Sequence, residues 1–342
     1  MKHLSQLFRC IVAGGSLFVA AQVQAQVLGA DFAANYTVTD LGSVAGLPPA
    51  YGGLTFLNND TLLIGGNANT AAGLLYTVPV FRGAGNRVIG FGAPLAFGTV
   101  GAFNDGGVAF GPGGVLFTSR WPSNELGQTK PGSTAEDKVI NMAALGVADS
   151  HAALNFVPGG FGGAGKIKMV SWSGGQWYSG ELQPDGLGTF NLLNVLQIDL
   201  DTSNAAMTNL GGGPEGFVFI EGTNAGFGGI NSMLISEFSA GTVGAFELDA
   251  DSNPLAGTRR DFLTGLTGAE GAVIDPMTGD FLFSTFGGGD RVVRVSGFNI
   301  PTGVPEPASL PLVVLALYGC AWVARQRRHK KVSSARSLPG LT

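Results

Sequence analysis

Short apolar runs alternate along this chain with clusters of Gly, Asp, Asn and Pro, and one arrangement of these pieces returns five times. It begins as Gly52-Gly53-Leu54-Thr55-Phe56, turns at Asn58-Asn59-Asp60 and resumes as Leu62-Leu63-Ile64. The second copy is Gly106-Gly107-Val108-Ala109-Phe110, the turn Pro112-Gly113-Gly114, then Val115-Leu116-Phe117-Thr118-Ser119. The third runs from Ala152 to Val157, turns at Pro158-Gly159-Gly160 and resumes over Ile167 to Ser171. The fourth is Glu215-Gly216-Phe217-Val218-Phe219 followed by Met233-Leu234-Ile235-Ser236. The fifth is Glu270-Gly271-Ala272-Val273-Ile274, a turn at Asp275 to Gly279, then Phe281-Leu282-Phe283-Ser284. Apolar runs of this length between turn formers predict β-strands.

Successive copies start 54, 46, 63 and 55 residues apart, and further strand-like runs follow the pairs, such as Leu74 to Phe81, Trp177 to Leu182 and Val243 to Leu248. Three or four short strands recurring at about fifty residues predict an all-β fold, a β-propeller. One small twisted sheet cannot bury both faces alone, whereas radially packed neighbours can. Five copies predict five blades, or six if the divergent stretches 120–150 or 183–213 hold another. Tyr36-Thr37-Val38-Thr39 is an extra strand expected to pair with the last blade and close the ring, removing exposed edges. A β-sandwich and a β-solenoid are the competing all-β arrangements.

Composition narrows this reading. Among 342 residues, 56 are glycine and only 13% are charged. The glycines follow no three-residue period, which excludes collagen. A hydrophobic fraction of 45% with 23 phenylalanines is enough for a sizeable core and excludes a disordered chain. Interior glycines, each costing a helix about 1 kcal/mol, argue against a mostly helical protein.

The charge is unevenly placed. The chain carries −5 overall, but residues 26–304 hold 23 acids against 11 bases, so the body carries −12. Such a surface excludes nucleic acid as a partner, whose phosphates require basic residues. The two ends are basic. Lys2 and Arg9, an apolar stretch from Ile11 to Ala21 and Val23-Gln24-Ala25 predict a signal peptide over 1–25, which leaves 26–303 as the exported domain. A second apolar segment, Ala308 to Ala324, is about 26 Å long as a helix, enough for one transmembrane span. The cluster Arg325, Arg327, Arg328, Lys330 and Lys331 after it predicts a cytoplasmic end, with the acidic body in the periplasm. Cys10 and Cys320 fall in these two segments, so the body has neither a disulfide framework nor a cysteine nucleophile.

Pro305-Glu306-Pro307, the spanning segment and the basic cluster, in that order over 304–331, resemble the PEP-CTERM sorting signal of Gram-negative bacteria. Residues 332–342 extend beyond that pattern as a polar tail. The resemblance implies a substrate of exosortase, an intramembrane transpeptidase, held at the inner membrane during sorting and then passed to the cell surface or extracellular matrix.

Glu215 and Glu270 occupy one repeat position, at the start of the predicted innermost strand, and His151 falls one place earlier in the third copy. Equivalent positions on a propeller converge on its axis. Two carboxylates and an imidazole there form a candidate metal site for Ca²⁺ or Mg²⁺, which prefer oxygen ligands. Gly52, Gly106 and Ala152 fill the position in the other copies, and no general base stands out, so no catalytic residue is assigned. Capping of the inner strands is the structural alternative. Pro214-Glu215-Gly216 and Ala269-Glu270-Gly271 with Asp275-Pro276 resemble blades of NHL and gluconolactonase-type propellers. That resemblance implies a metal that polarises a lactone or ester.

Asp249-Ala250-Asp251-Ser252-Asn253 opens like a calcium loop, but Pro254 and Arg260 stand where an EF-hand needs Gly and Glu, so a hairpin turn is expected. Trp121, Trp172, Trp177 and Tyr178 are candidates for a sugar-stacking surface or for packing between blades. Nucleophile elbows, P-loops and zinc-protease motifs are missing from the sequence. The expected function is an exported surface or matrix protein that binds or scaffolds, with a polysaccharide or matrix component as partner and no required cofactor. The alternative is a secreted divalent-metal-dependent hydrolase or lyase of gluconolactonase-like type.

Overall fold

The computed structural model describes residues 25–301. The signal segment up to residue 24, the Pro305-Glu306-Pro307 motif, the apolar segment and the basic cluster lie outside the described residues. Among the described residues no helix is long and apolar enough to cross a membrane.

The described chain forms five antiparallel sheets arranged as the blades of a propeller. Blade 1 holds Leu54–Asn58, Thr61–Gly66, Leu74–Arg82 and Val88–Phe91, with Leu95–Ala96 added beside the third strand. Blade 2 holds Asn104–Phe110, Leu116–Arg120, Glu125–Thr129 and Lys138–Asn141. Blade 3 holds His151–Phe156, Ile167–Ser171, Trp177–Pro184 and Phe190–Ile198. Blade 4 holds Pro214–Ile220, Ser232–Glu237, Thr242–Glu247 and Arg260–Thr264, edged by Val27–Leu28. Blade 5 holds Ala269–Ile274, Phe281–Thr285 and Val292–Ser296, and its outer strand is Thr37–Asp40 from the start of the domain. The first strand of each blade contacts first strands of its neighbours, which places these five strands around the axis.

All five sequence copies thus supply the two inner strands of a blade. Stretches 120–150 and 183–213 contain outer strands of blades 2 and 3 with their loops, not a sixth blade. The ring is closed by the strand expected at Tyr36 to Thr39: Val38 pairs with Val295 and Thr39 with Arg294.

Five apolar clusters fill the five gaps between blades. Strand alternation explains how short runs serve two clusters at once. Phe217 and Phe219 face blade 3, while Val218 and Ile220 face blade 5. Leu62 and Ile64 face blade 5, while Leu63 faces blade 2. Every blade is apolar on both faces, which neither a sandwich nor a solenoid edge would require. This is why the strands read as unbroken apolar runs and not as alternating ones.

Candidate metal centre at the propeller axis

The first strands of blades 2 to 5 each start with a bulge at the axis, the one in blade 3 leaving Ala152 unpaired. In blade 4 the pairing jumps from Pro214–Glu237 to Phe217–Ile235, leaving Glu215 and Gly216 unpaired. In blade 5 it jumps from Ala269–Thr285 to Ala272–Phe283, leaving Glu270 and Gly271 unpaired. In blade 2 it jumps from Asn104–Arg120 to Val108–Thr118, so this bulge contains three residues, Asp105, Gly106 and Gly107. The first bulged residue is an acid in blades 2, 4 and 5, and a bulge re-aims the side chain that opens it.

Asp105, Glu215 and Glu270 meet at the axis, each offering a carboxylate oxygen within 4.8 Å of the others. They are 1%, 5% and 1% exposed. Asp105 Oδ2, Glu215 Oε2 and Glu270 Oε1 have no hydrogen-bond partner. The Gly106 amide lies beside Asp105 and Glu215 and partly offsets the cost of burying them. With its amide nitrogen facing the acceptors, Asn69 donates to Asp105 Oδ1 at 2.9 Å and to the Asn104 carbonyl at 3.1 Å. Asp105 and Glu270 stand close enough to couple, each acting on the other's proton affinity.

Burial dominates the electrostatics. Desolvation pushes Asp105 up to about 7, against the smaller stabilisation from Glu270, Asn69 and the Gly106 amide. Glu215 is held well above the ordinary carboxylate range by burial, then by the charges of Asp105 and Glu270. Glu270 is held up by burial first and by Asp105 second. Buried carboxyls without a countercharge either keep protons or hold a cation. The donor set fits a hard divalent ion. Oxygens bound to one Ca²⁺ at about 2.4 Å lie no more than about 4.8 Å apart, which these three satisfy. An all-oxygen set also suits Ca²⁺ or Mg²⁺ better than zinc, which favours nitrogen and sulfur.

The sequence pairing of Glu215 with Glu270 at one repeat position corresponds to their convergence here. His151 does not join them. It pairs with Ser171 as Asn104, Pro214 and Ala269 pair with their partners, and so stands one residue before the acidic position, which in blade 3 is Ala152. Its ring is fully buried, with Nδ1 3.3 Å from the Glu125 carbonyl and Nε2 unpartnered, and desolvation lowers it to about 4. Asp105 takes the third place instead. Sequence reasoning aligned Gly106 there because the blade 2 bulge is one residue longer; the acid immediately before the glycine pair was the available signal.

The axis around the acids is filled by backbone. A Cβ on Gly106 would fall 2.8 Å from the Glu215 carbonyl carbon, and one on Gly216 would fall 2.5 Å from the Glu270 carbonyl oxygen. Added to Gly271 it would meet Gly53 Cα at 2.5 Å. Only glycine permits inner strands this close.

The remaining candidates fall elsewhere. Asp249 is the hairpin turn expected: its Oδ1 accepts from the Asp251 and Asn253 amides at 2.9 and 2.8 Å. Asn253 Oδ1 accepts from the buried Lys168 at 2.6 Å, so an ammonium occupies the inside of that loop. Trp177 and Tyr178 are buried in the clusters flanking blade 3, whereas Trp121 and Trp172 are half-buried and touch edge to face.

No family model matches the chain, and no curated protein matches it either. Solved structures resemble it at low identity. The PQQ-bound aldose sugar dehydrogenase of Streptomyces coelicolor is 13% identical, over 75% of this chain and 83% of that one, with a TM-score of 0.37. An auxiliary nutrient binding protein of Bacteroides ovatus is 13% identical over 77% and 76%, with a TM-score of 0.40. A Thermus thermophilus oxidoreductase described as a glucose dehydrogenase is 14% identical over 76% and 99%, with a TM-score of 0.42. Similarities of this depth carry no argument about function, and the five-bladed architecture rests on the chain's own strand pairing.

Proposed function

We propose that this chain is an exported surface or matrix protein whose propeller binds a ligand without transforming it, and whose axial carboxylates hold a structural divalent cation. The observation that carries the reading is the burial of Asp105, Glu215 and Glu270 behind an axis filled by glycine backbone. An ion reaches such a place during folding, but a lactone or ester has no room beside it. A cation there ties blades 2, 4 and 5 together. Ca²⁺ is the better candidate, because Mg²⁺ demands near-ideal octahedral geometry and gives up its waters reluctantly.

Export is supported by the signal-like start, the cysteine-free acidic body and the Pro305-Glu306-Pro307 tail with its basic end. In this reading exosortase and the inner membrane are partners during sorting only. The test is the fate of the full chain in a Gram-negative host that carries an exosortase. Surface-accessible protein, lost on Glu306→Ala or on deletion of 308–331, is expected. Unchanged surface display of both variants would overturn the sorting assignment, and metal-free purified protein that gains no thermal stability from Ca²⁺ or Mg²⁺ would overturn the cation.

A further inference from the structure

One axial end of the ring carries an aromatic crown. The residue after the second strand is Trp121 in blade 2, Trp172 in blade 3, Phe238 in blade 4 and Phe286 in blade 5. The same hydrogen bond fixes each: its amide donates to the carbonyl just before the first strand, at Phe103, Ser150, Gly213 and Gly268 respectively. These four positions are equivalent, and all four rings are half-buried. They touch in sequence around the axis. Trp121 and Trp172 have centroids 6.4 Å apart at 80°, Trp172 and Phe238 6.3 Å at 78°, and Phe238 and Phe286 5.9 Å at 68°. Packing alone does not require half-exposed rings at one height in four consecutive blades, because each inter-blade gap has its own buried cluster. Contiguous, partly exposed aromatics of this kind mark a binding surface.

The rim indicates what binds. Each ring is followed by a small, uncharged residue pair, and Ser123, Ser173 and Ser239 are exposed hydroxyls on this rim, beside the Gly287 to Gly289 backbone. The charged residues beside that backbone are engaged within the domain: Asp290 accepts from the Gly287 and Ala50 amides and Arg291 pairs with Asp40. In a body of charge −12 such a platform is matched to an uncharged ligand, while a polyanion is repelled by the whole domain. Met, one mark of protein-binding patches, is missing from these rim positions. A sugar ring has an apolar C–H face for an aromatic ring and hydroxyls for serine and backbone groups.

Asn299, next to the last described residues, bonds to Asn224 and Thr223, which follow the far end of the blade 4 inner strand. The described chain therefore ends on the side of the ring opposite the crown.

We propose that the crown of Trp121, Trp172, Phe238 and Phe286 is a binding site for an uncharged polysaccharide. This rests on the surface-binding reading and names its ligand class. The test is native affinity electrophoresis of the full chain in mild detergent, in gels containing a β-glucan, a galactomannan, alginate or chitosan. Retardation is expected in at least one neutral gel and not in alginate. Trp172→Ala and Phe286→Ser should each weaken it at least fivefold, while Leu196→Ala, exposed on the outer strand of blade 3, should not. Retention of native circular dichroism identifies variants that fold, and either crown variant suffices. No retardation in either neutral gel, undiminished retardation of a folded crown variant, or retardation by chitosan alone would each overturn the proposal. So would crown-dependent binding of a protein from the cell envelope with no response to neutral polysaccharide. Because the assay uses purified protein, failure of export leaves its result unchanged.

Discussion

Ser284 of the last blade donates its hydroxyl to the Gly52 carbonyl of the first at 2.6 Å, and the same oxygen accepts the Gly271 amide at 3.0 Å. Ser119 repeats the device in the gap between blades 2 and 3, accepting the Gly107 amide at 2.8 Å and donating to the Ala152 carbonyl. Each serine couples a bulged glycine of its own blade to the inner strand of the next. Ser284→Ala strands a buried amide and a buried carbonyl, so a loss of about 2 kcal/mol is expected in urea unfolding. Ser236, at the equivalent place in blade 4, has no partner for its hydroxyl. Ser236→Ala should therefore stay within about 0.5 kcal/mol of the parent. Equal losses in the two variants would refute the role given to the clasp.

Gly106 sets how closely blades 2 and 4 approach. A Cβ there would meet three atoms of Glu215 at 2.8 to 3.1 Å, two of them backbone. Backbone cannot rotate aside, so Gly106→Ala should cost about 1–3 kcal/mol and loosen the carboxylate group as well. Gly211 has open space around it, and Gly211→Ala should be neutral or mildly stabilising. Thermal melts of the two variants, paired with metal content by mass spectrometry, check both statements.

Much of this was written in the chain as apolar runs. The apolar starts of the five copies, four of them opened by glycine, mark the inner strands because burial on both faces removes polar alternation, and Tyr36 to Thr39 stands out as a strand without a sheet of its own. What escaped depends on register. Asp105 was hidden by one extra bulge residue, which shifts it off the column that holds Glu215 and Glu270. His151 was drawn toward that column by being one place away, and pleating turns neighbouring residues to opposite sides. The crown was half visible: Ser119-Arg120-Trp121, Ser236-Glu237-Phe238 and Ser284-Thr285-Phe286 share a Ser-x-aromatic spelling. In blade 3 Ser171 directly precedes Trp172, and this breaks the pattern. Only strand pairing shows that the four rings share one height.

Closure depends on the strand Thr37–Asp40. It covers the edge of Val292–Ser296, and Arg294 reaches from beneath it to Thr39 Oγ1 at 3.0 Å. Without it, that apolar strand presents a row of free backbone groups, a template for association. Thr39→Pro, two residues before the Leu41 amide that donates to Val292, removes a donor on the side of the strand that faces Arg294 and should lower the unfolding free energy by about 1–3 kcal/mol. Light scattering at moderate temperature should then show aggregation that the parent does not. A monomeric variant of parental stability would mean that the ring is held by its inter-blade clusters alone.

The axial carboxyls make stability fall as pH rises, unless a cation is present. Asp105 is raised from 3.8 to about 7, so the folded chain keeps a proton that the unfolded chain releases near 4. Its contribution is complete below about pH 4 and is lost as pH rises through 7, at up to about 1.4 kcal/mol per unit. Glu215 and Glu270 are raised in the same direction and extend the loss upward. Asp280, raised by burial to about 6, has the same sign. His151, lowered to about 4 by burial, has the opposite one, gaining stability up to about pH 6.5. Asp105→Asn isolates the axial share. In chelator, the drop in melting temperature from pH 5 to pH 7.5 should be smaller in that variant than in the parent. A divalent cation requires the ionised carboxylates, so Ca²⁺ should raise the parent's melting temperature more at pH 7.5 than at pH 5, and should do little for Asp105→Asn. A parent and a variant with the same pH slope and the same calcium response would remove Asp105 from the centre.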